Sequence, residues 1–256
     1  MKPFHALLFC AACLLISEGA EIINGRIAKP HSRPYMAYIK VQKGTYNSIC
    51  GGTLIDSEWV VTAAHCGIPG GTVMVILGAH SSDDNAAEEG RQKFNVTEIL
   101  QHPQYNDINR KNDILLMRLN ASAGFGKYVQ KKSLPQTYED VEEGTVCETA
   151  GWGWTGDQFA DRLMEVNVTV LNRRTCQRNL KNEVYITENM MCTNVGPGGQ
   201  DSCNGDSGGP LICNGVFRGL ISFGTDPCGK QNGVAVYTRL TKEYVDWINK
   251  KTGHQL

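Results

Sequence analysis

A serine hydroxyl becomes a useful nucleophile only when a base stands beside it and main-chain donors await the oxyanion it creates. The run Asp201-Ser202-Cys203-Asn204-Gly205-Asp206-Ser207-Gly208-Gly209-Pro210 has the makings of such a serine. Glycines around Ser207 let the chain bend tightly and bring N–H groups close to a bound carbonyl. The same residues also fit the G-x-S-x-G elbow of α/β-hydrolases, and a plain glycine-rich turn would read no differently. A candidate base lies in Val60-Val61-Thr62-Ala63-Ala64-His65-Cys66, where a histidine follows a strand and adjoins a cysteine that can pin it. A lone histidine is more often structural or solvent-facing. The carboxylate to orient it stands in Asn112-Asp113-Ile114-Leu115-Leu116, where burial would demand a hydrogen-bond partner. Taken singly, an aspartate at a strand start is a turn residue.

Short β-rich runs dominate the rest: Thr72–Leu77, Val166–Val170, Gly219–Phe223 and Gly233–Thr238, separated by turns that the 28 glycines serve. No regular alternation of strands with long helical patterns occurs, which argues against an α/β fold. One helix is predicted, at the C-terminus. Thr241 can cap it, Tyr244, Val245 and Ile248 share a face, and Lys250 and Lys251 suit its end. The pattern is all-β, built as barrels or a sandwich. The 256 residues allow one large domain or two small ones sharing an interface, and 41% apolar content supplies a core. A formal charge of −1 with no long single-sign run means that overall charge does not drive nucleic-acid or polyanion binding.

The N-terminus reads as a secretory signal over 1–19: Lys2, an apolar stretch Phe4–Ile16, then small residues around Ser17–Ala20. A membrane span needs roughly 20 apolar residues, which neither this stretch nor any later one reaches. Of ten cysteines, Cys10 and Cys13 leave with the signal. An even remainder in an exported chain points to disulfides, although the count alone permits many pairings, and no C-x-x-C pair follows the signal to favour a metal. Asn95, Asn120 and Asn167 head N-x-S/T glycosylation sequons.

Together, the three chemical segments resemble the chymotrypsin/trypsin family of serine proteases, and the order His65, Asp113, Ser207 is that family's rather than the Ser–Asp–His order of α/β-hydrolases. The resemblance runs from Ile22 to the terminal helix. It implies two six-stranded antiparallel β-barrels with a C-terminal helix, barrel one over about 22–130, barrel two over about 131–240 and the helix over 241–251, in a protease domain spanning 22–256. It implies a secreted endopeptidase in which Ser207 attacks, His65 shuttles the proton, Asp113 orients the imidazole, Ser222 supports the aspartate, and the N–H groups of Gly205 and Ser207 form the oxyanion hole. Ile22-Ile23-Asn24-Gly25 resembles the mature N-terminus, so removal of the dipeptide 20–21 would free an Ile22 ammonium to pair with Asp206. The implied disulfides are Cys50–Cys66, Cys147–Cys213, Cys176–Cys192 and Cys203–Cys228. These use every cysteine left after the signal, so the chain is expected to be a monomer.

Asp201 matches the aspartate at the floor of the specificity pocket in trypsin-like members, which implies cleavage after Arg or Lys. Ser202, Ser222, Gly224 and Ala235 would line that pocket, with Ala235 where the family usually carries glycine and Phe223 where it carries tryptophan. Lys29-Pro30-His31-Ser32-Arg33-Pro34-Tyr35-Met36-Ala37 and Cys213-Asn214-Gly215-Val216-Phe217-Arg218-Gly219 look like the granzyme A/K group, granule proteases of cytotoxic lymphocytes. That branch implies protein substrates, an activating dipeptidyl peptidase, serpin-type inhibitors, proteoglycan and storage in secretory granules. Against it, loss of Lys2, Glu18 and Glu21 leaves the mature chain neutral, whereas granzymes are typically basic; Arg173, Arg174, Arg178 and Lys181 form a local basic cluster that reads by default as a solvated helix face. Neither metal nor cofactor is expected: Asp83, Asp84, Glu88 and Glu89 fall in the loop where trypsin binds calcium, but Ala79 replaces the leading ligand. The alternatives are a digestive or mast-cell tryptic protease, and a non-catalytic homologue that binds partners.

Overall fold

The computed structural model describes residues 22–196 and 198–253; the signal read over 1–19 and the dipeptide 20–21 lie outside the described residues. Strands β1 (Arg26–Ile27), β2 (Met36–Lys43), β3 (Tyr46–Asp56), β4 (Trp59–Thr62), β5 (Thr72–Leu77), β6 (Gln92–Gln101) and β7 (Leu115–Leu119) come first. Six of them close into an antiparallel barrel in the order β2-β3-β4-β7-β6-β5. The second half supplies β8 (Val146–Gly151), β9 (Met164–Leu171), β10 (Met190–Asn194), β11 (Pro210–Cys213), β12 (Val216–Gly224) and β13 (Val234–Arg239). These run β9-β10-β13-β12-β11-β8, and pairing of β8 with β9 closes the second six-stranded barrel.

β1 lies within the stretch read as barrel one, yet it pairs with β9 of the second barrel, Arg26 opposite Glu165 and Ile27 opposite Met164. The reason is the segment just before it. Ile22 is fully buried in the core of the second barrel, and the Ile23 carbonyl accepts from the Asp201 N–H at 3.2 Å, so the chain must start there before crossing to β2.

The alternation of side chains along a strand explains why β4 and β7 are apolar on both faces. Val60, Leu115, Met117 and Leu119 point into the first barrel. Their neighbours Trp59, Val61, Ile114 and Leu116 point outward into a second cluster with Ile212, Phe217, Leu220 and residues of the terminal helix. This seam glues the barrels together, and the ends of β4 and β7 beside it are where His65 and Asp113 stand.

The C-terminal helix α2 (Lys242–Thr252) is capped by the Thr241 side chain and ends at Gly253 in the left-handed region. Tyr244, Val245 and Ile248 are its buried face. A shorter helix that periodicity did not single out, α1 (Arg173–Asn179), forms because Asn172 caps it, accepting from the Thr175 N–H at 2.8 Å, and because Cys176 is tied to Cys192. All four implied disulfides are present.

Leu116 fills the seam and is fully buried. Leu116→Ala is expected to cost about 2–5 kcal/mol, whereas Arg118→Ala on the same strand should stay within about 1 kcal/mol, measured by denaturant unfolding with the disulfides intact.

Candidate active site

His65 sits in a 3₁₀ turn, Ala64–Cys66, immediately beyond β4. The turn is held from two sides: Cys66 is bridged to Cys50 of β3, and the His65 N–H donates to Asp113 Oδ1 at 3.0 Å. The imidazole Nδ1 lies 2.8 Å from Asp113 Oδ2, the oxygen that also accepts from the Ser222 hydroxyl at 2.5 Å. Asp113 is fully buried, and its carbonyl accepts from the Thr238 hydroxyl at 2.9 Å. With only acceptors facing it from the carboxylate, Nδ1 carries the proton and Nε2 is left with a free lone pair on the cleft side.

The residue before Asp113 helps to hold it. Asn112 has φ 56°, in the left-handed region that asparagine tolerates better than most side chains. Its side-chain amide donates to the Gln104 carbonyl and accepts from the Tyr244 hydroxyl, both at 2.8 Å. Asparagine's taste for that conformation was the signal available in the sequence; its partners, Gln104 and Tyr244, were not.

Ser207 precedes β11 in a turn whose other amides are spoken for. The Asp206 N–H donates to the Cys203 carbonyl, Gly208 to Ile221 and Gly209 to Asp206. Among the described residues, the N–H groups of Gly205 and Ser207 have no acceptor, so two donors remain beside the hydroxyl. The turn lies hard against the end of β4: at Gly208, φ 78°, a Cβ would fall 1.9 Å from the Thr62 hydroxyl. Ser207 and His65 line one cleft of about 1170 Å³. The serine hydroxyl makes no hydrogen bond to a described residue in this geometry, and such contacts commonly tighten only with substrate in place.

Asp201, Ser202, Ser222, Gly224 and Ala235 line the same cleft. Asp201 is 3% exposed, and burial pushes its carboxyl up to about 6 against the opposing effect of the Gly229 and Ser202 N–H groups. No cation among the described residues pairs with it. Gly224 pairs with Ala235 across β12 and β13, and Val234 O passes so near that a Cβ on Gly224 would meet it at 2.8 Å. Ala235, 3% exposed, thus lines the cleft while packing into the core of the second barrel.

Asp206 is fully buried, accepts from the N–H groups of Gly153 at 2.7 Å and Cys203 at 2.9 Å, and is pushed up to about 7 by burial. It too has no cationic partner among the described residues. Elsewhere, the carboxylates of the 79–91 loop are engaged by the protein itself: Asp84 by Lys40, Glu88 by Arg91 and the His80 and Ser81 N–H groups, and Glu89 by the Tyr128 hydroxyl. Asn95, Asn120 and Asn167 are all exposed, the first two side by side, with Asn120 Oδ1 accepting from the Asn95 N–H.

A family model described as Trypsin matches residues 22–248. The chain belongs to the trypsin family. It is a serine endopeptidase. Granzyme A of Bos taurus is 39% identical over 259 residues, covering 97% of this chain and 96% of the relative. Mast cell protease 3 of Ovis aries is 38% identical over 246 residues, with 95% and 94% covered. Granzyme-like protein 1 of Rattus norvegicus is 41% identical over 221 residues, with 85% and 87% covered. This trypsin-family chain thus resembles granzymes, and among its described residues no helix is long and apolar enough to cross a membrane.

The two bonds at Asn112 set up a conformational test. Asn112→Gly and Asn112→Ala both lose them, but glycine accepts φ 56° freely while alanine is strained by about 1 kcal/mol. Thermal unfolding is expected to rank wild type above Gly and Gly above Ala.

Proposed function

We propose that this protease hydrolyses peptide bonds after Arg or Lys, using Ser207, His65 and Asp113 as its catalytic triad. The observation that carries the specificity is Asp201: a buried carboxylate in the catalytic cleft with no built-in cation is costly, and a substrate guanidinium or ammonium relieves that cost. Ser207 attacks the carbonyl carbon as His65 Nε2 removes the hydroxyl proton. Asp113 holds Nδ1–H and stabilises the imidazolium. The Gly205 and Ser207 N–H groups take the oxyanion, worth about 3 kcal/mol per donor. His65 then protonates the leaving amine, and a water deprotonated by His65 repeats the attack on the acyl-enzyme to free the acid.

Activation follows the same electrostatics. With signal 1–19 and dipeptide 20–21 removed, the freed Ile22 ammonium would insert to pair with Asp206 and neutralise its buried charge, ordering the pocket. A dipeptidyl peptidase suits the Ala20–Glu21 leader. The resemblance to granzymes supports a secreted, granule-stored monomer acting on protein substrates, regulated by serpin-type inhibitors and held on proteoglycan. The comparable identity to mast cell protease 3 favours a mast-cell tryptic enzyme as the second reading.

Hydrolysis of matched Arg, Lys, Phe and Leu substrates by the processed chain tests this. Arg and Lys should dominate; a preference for Phe or Leu would overturn the role of Asp201. Ser207→Ala should lower turnover by roughly 10⁶-fold, and a loss of tenfold or less means another nucleophile.

Asp201 must be ionised to hold a cation, and its folded value is raised, so it takes up a proton as pH falls through about 6. The ratio of kcat/KM for an Arg substrate to that for an uncharged substrate is therefore expected to fall across that range, since effects on the shared catalytic machinery cancel in the ratio.

A further inference from the structure

The catalytic cleft does not stop at its rim. Arg110 lines both the cleft and a neighbouring depression of about 240 Å³ that includes Gln104, Lys111 and Asn189. That depression in turn shares Thr187, Asn189 and Glu243 with a third, of about 960 Å³, floored by α1 and its flank. The shared residues make one groove, leading from the cleft past the loop before Asp113 to α1.

Its charge is lopsided. Arg110, Lys111, Arg173, Arg174 and Arg178 face two carboxylates, Glu188 and Glu243. Arg110 is paired with Asp107, and Arg173 with Asp140. Lys111 and Arg174 have no side-chain partner among the described residues, and Arg178 has only the Thr175 hydroxyl. An ordinary solvated surface intersperses its charges, and the whole chain carries a formal charge of −1. Here unpaired cations are gathered along one groove that opens from the site of reaction, with Tyr185, 70% exposed, at its far part.

We propose that this groove is an exosite for an acidic segment of the protein substrate, outside the residues held in the catalytic cleft. The inference rests on the protease reading of that cleft. Polypeptide fits better than a sulfated glycan for two reasons. A chain lying in the cleft is delivered to the groove at Arg110. The groove also offers neutral amides and hydroxyls, Gln104, Asn189 and Thr187, that serve both the N–H and C=O of a backbone, whereas sulfates need donors alone.

The test uses processed enzyme and three Arg substrates: a short one, the same with a six-residue poly-Glu extension on either side, and the same with a Gly/Ser extension. The acidic extension on one side is expected to lower KM at least fivefold relative to the neutral one, with kcat unchanged. The gain should vanish at about 0.5 M salt, where charges are screened within a few ångströms, and in the Arg174→Glu/Arg178→Glu variant. That variant should hydrolyse the short substrate like wild type, which also reports its folding. No gain from the acidic extension, or a gain that survives charge reversal, overturns the exosite. Heparin bound through Arg174 and Arg178, without any gain from poly-Glu, overturns the polypeptide as occupant. Fluorescence anisotropy of the extended peptides on the Ser207→Ala protein gives the same ranking without turnover. A failure of the protease reading would instead appear as wild type inactive on the short substrate, with that ranking still deciding the exosite.

Discussion

A carboxylate cut off from water needs protein donors in the water's place, and fully buried Asp113 has three of them. One donor is the backbone of the turn after β4, a second the imidazole it carries, a third the hydroxyl of Ser222 on β12. Thr238 of β13 fixes the main chain behind it. The first barrel supplies the aspartate and histidine, the second the serine and threonine. Neither barrel completes the shell alone, so the apolar seam that joins them positions the chemistry as surely as any side chain in the cleft.

Two neighbouring acids are treated the opposite way. Asp201 and Asp206 are buried with backbone donors but without a cation, and both are pushed up by burial, Asp206 further by the proximity of Asp201. A carboxyl whose folded value is raised binds its proton more tightly folded than unfolded. Each therefore subtracts stability as pH rises above the ordinary carboxylate value of about 4, the loss being complete above about 6 for Asp201 and about 7 for Asp206. The fold tolerates that cost in a stretch pinned by Cys203–Cys228, which ties the serine loop to the segment bearing Gly229. On the proposed reading, that unneutralised buried charge is what a free amino terminus and a basic substrate side chain would bind.

The sequence carried the local features because their causes are local. β-rich composition marked β5 to the residue, and Thr241 and the apolar face of α2 marked the last helix to within one residue. His65 and Asp113 stood out by motif and Ser222 by family resemblance, and the chain does bring them together. Pairing partners far along the chain are a different matter. Nothing in Arg26–Ile27 says that it adds to β9, because that placement follows from the burial of Ile22. The disulfides came from family resemblance, since eight cysteines alone do not choose among their pairings. The basic groove draws on three separated segments, so only Arg173, Arg174 and Arg178, neighbours on one helix, could be seen as a cluster beforehand.

Backbone handedness is the less visible part of the same design. Gly205 and Gly208 take positive φ around Ser207 at no steric cost, but Arg110 and Asn112 do so just before Asp113 with side chains present. Such conformations cost on the order of 1 kcal/mol each and persist only where neighbours over-determine them. At Asn112 the neighbour is Tyr244: its ring is buried in the interbarrel seam, while its hydroxyl reaches the asparagine amide. Without that bond and the one to Gln104, the main chain leading into Asp113 would lose what holds it out of the common right-handed region. The terminal helix is thus more than a plug for an apolar gap, since one residue on it both fills the seam and fixes the strained link on which the histidine's orientation depends.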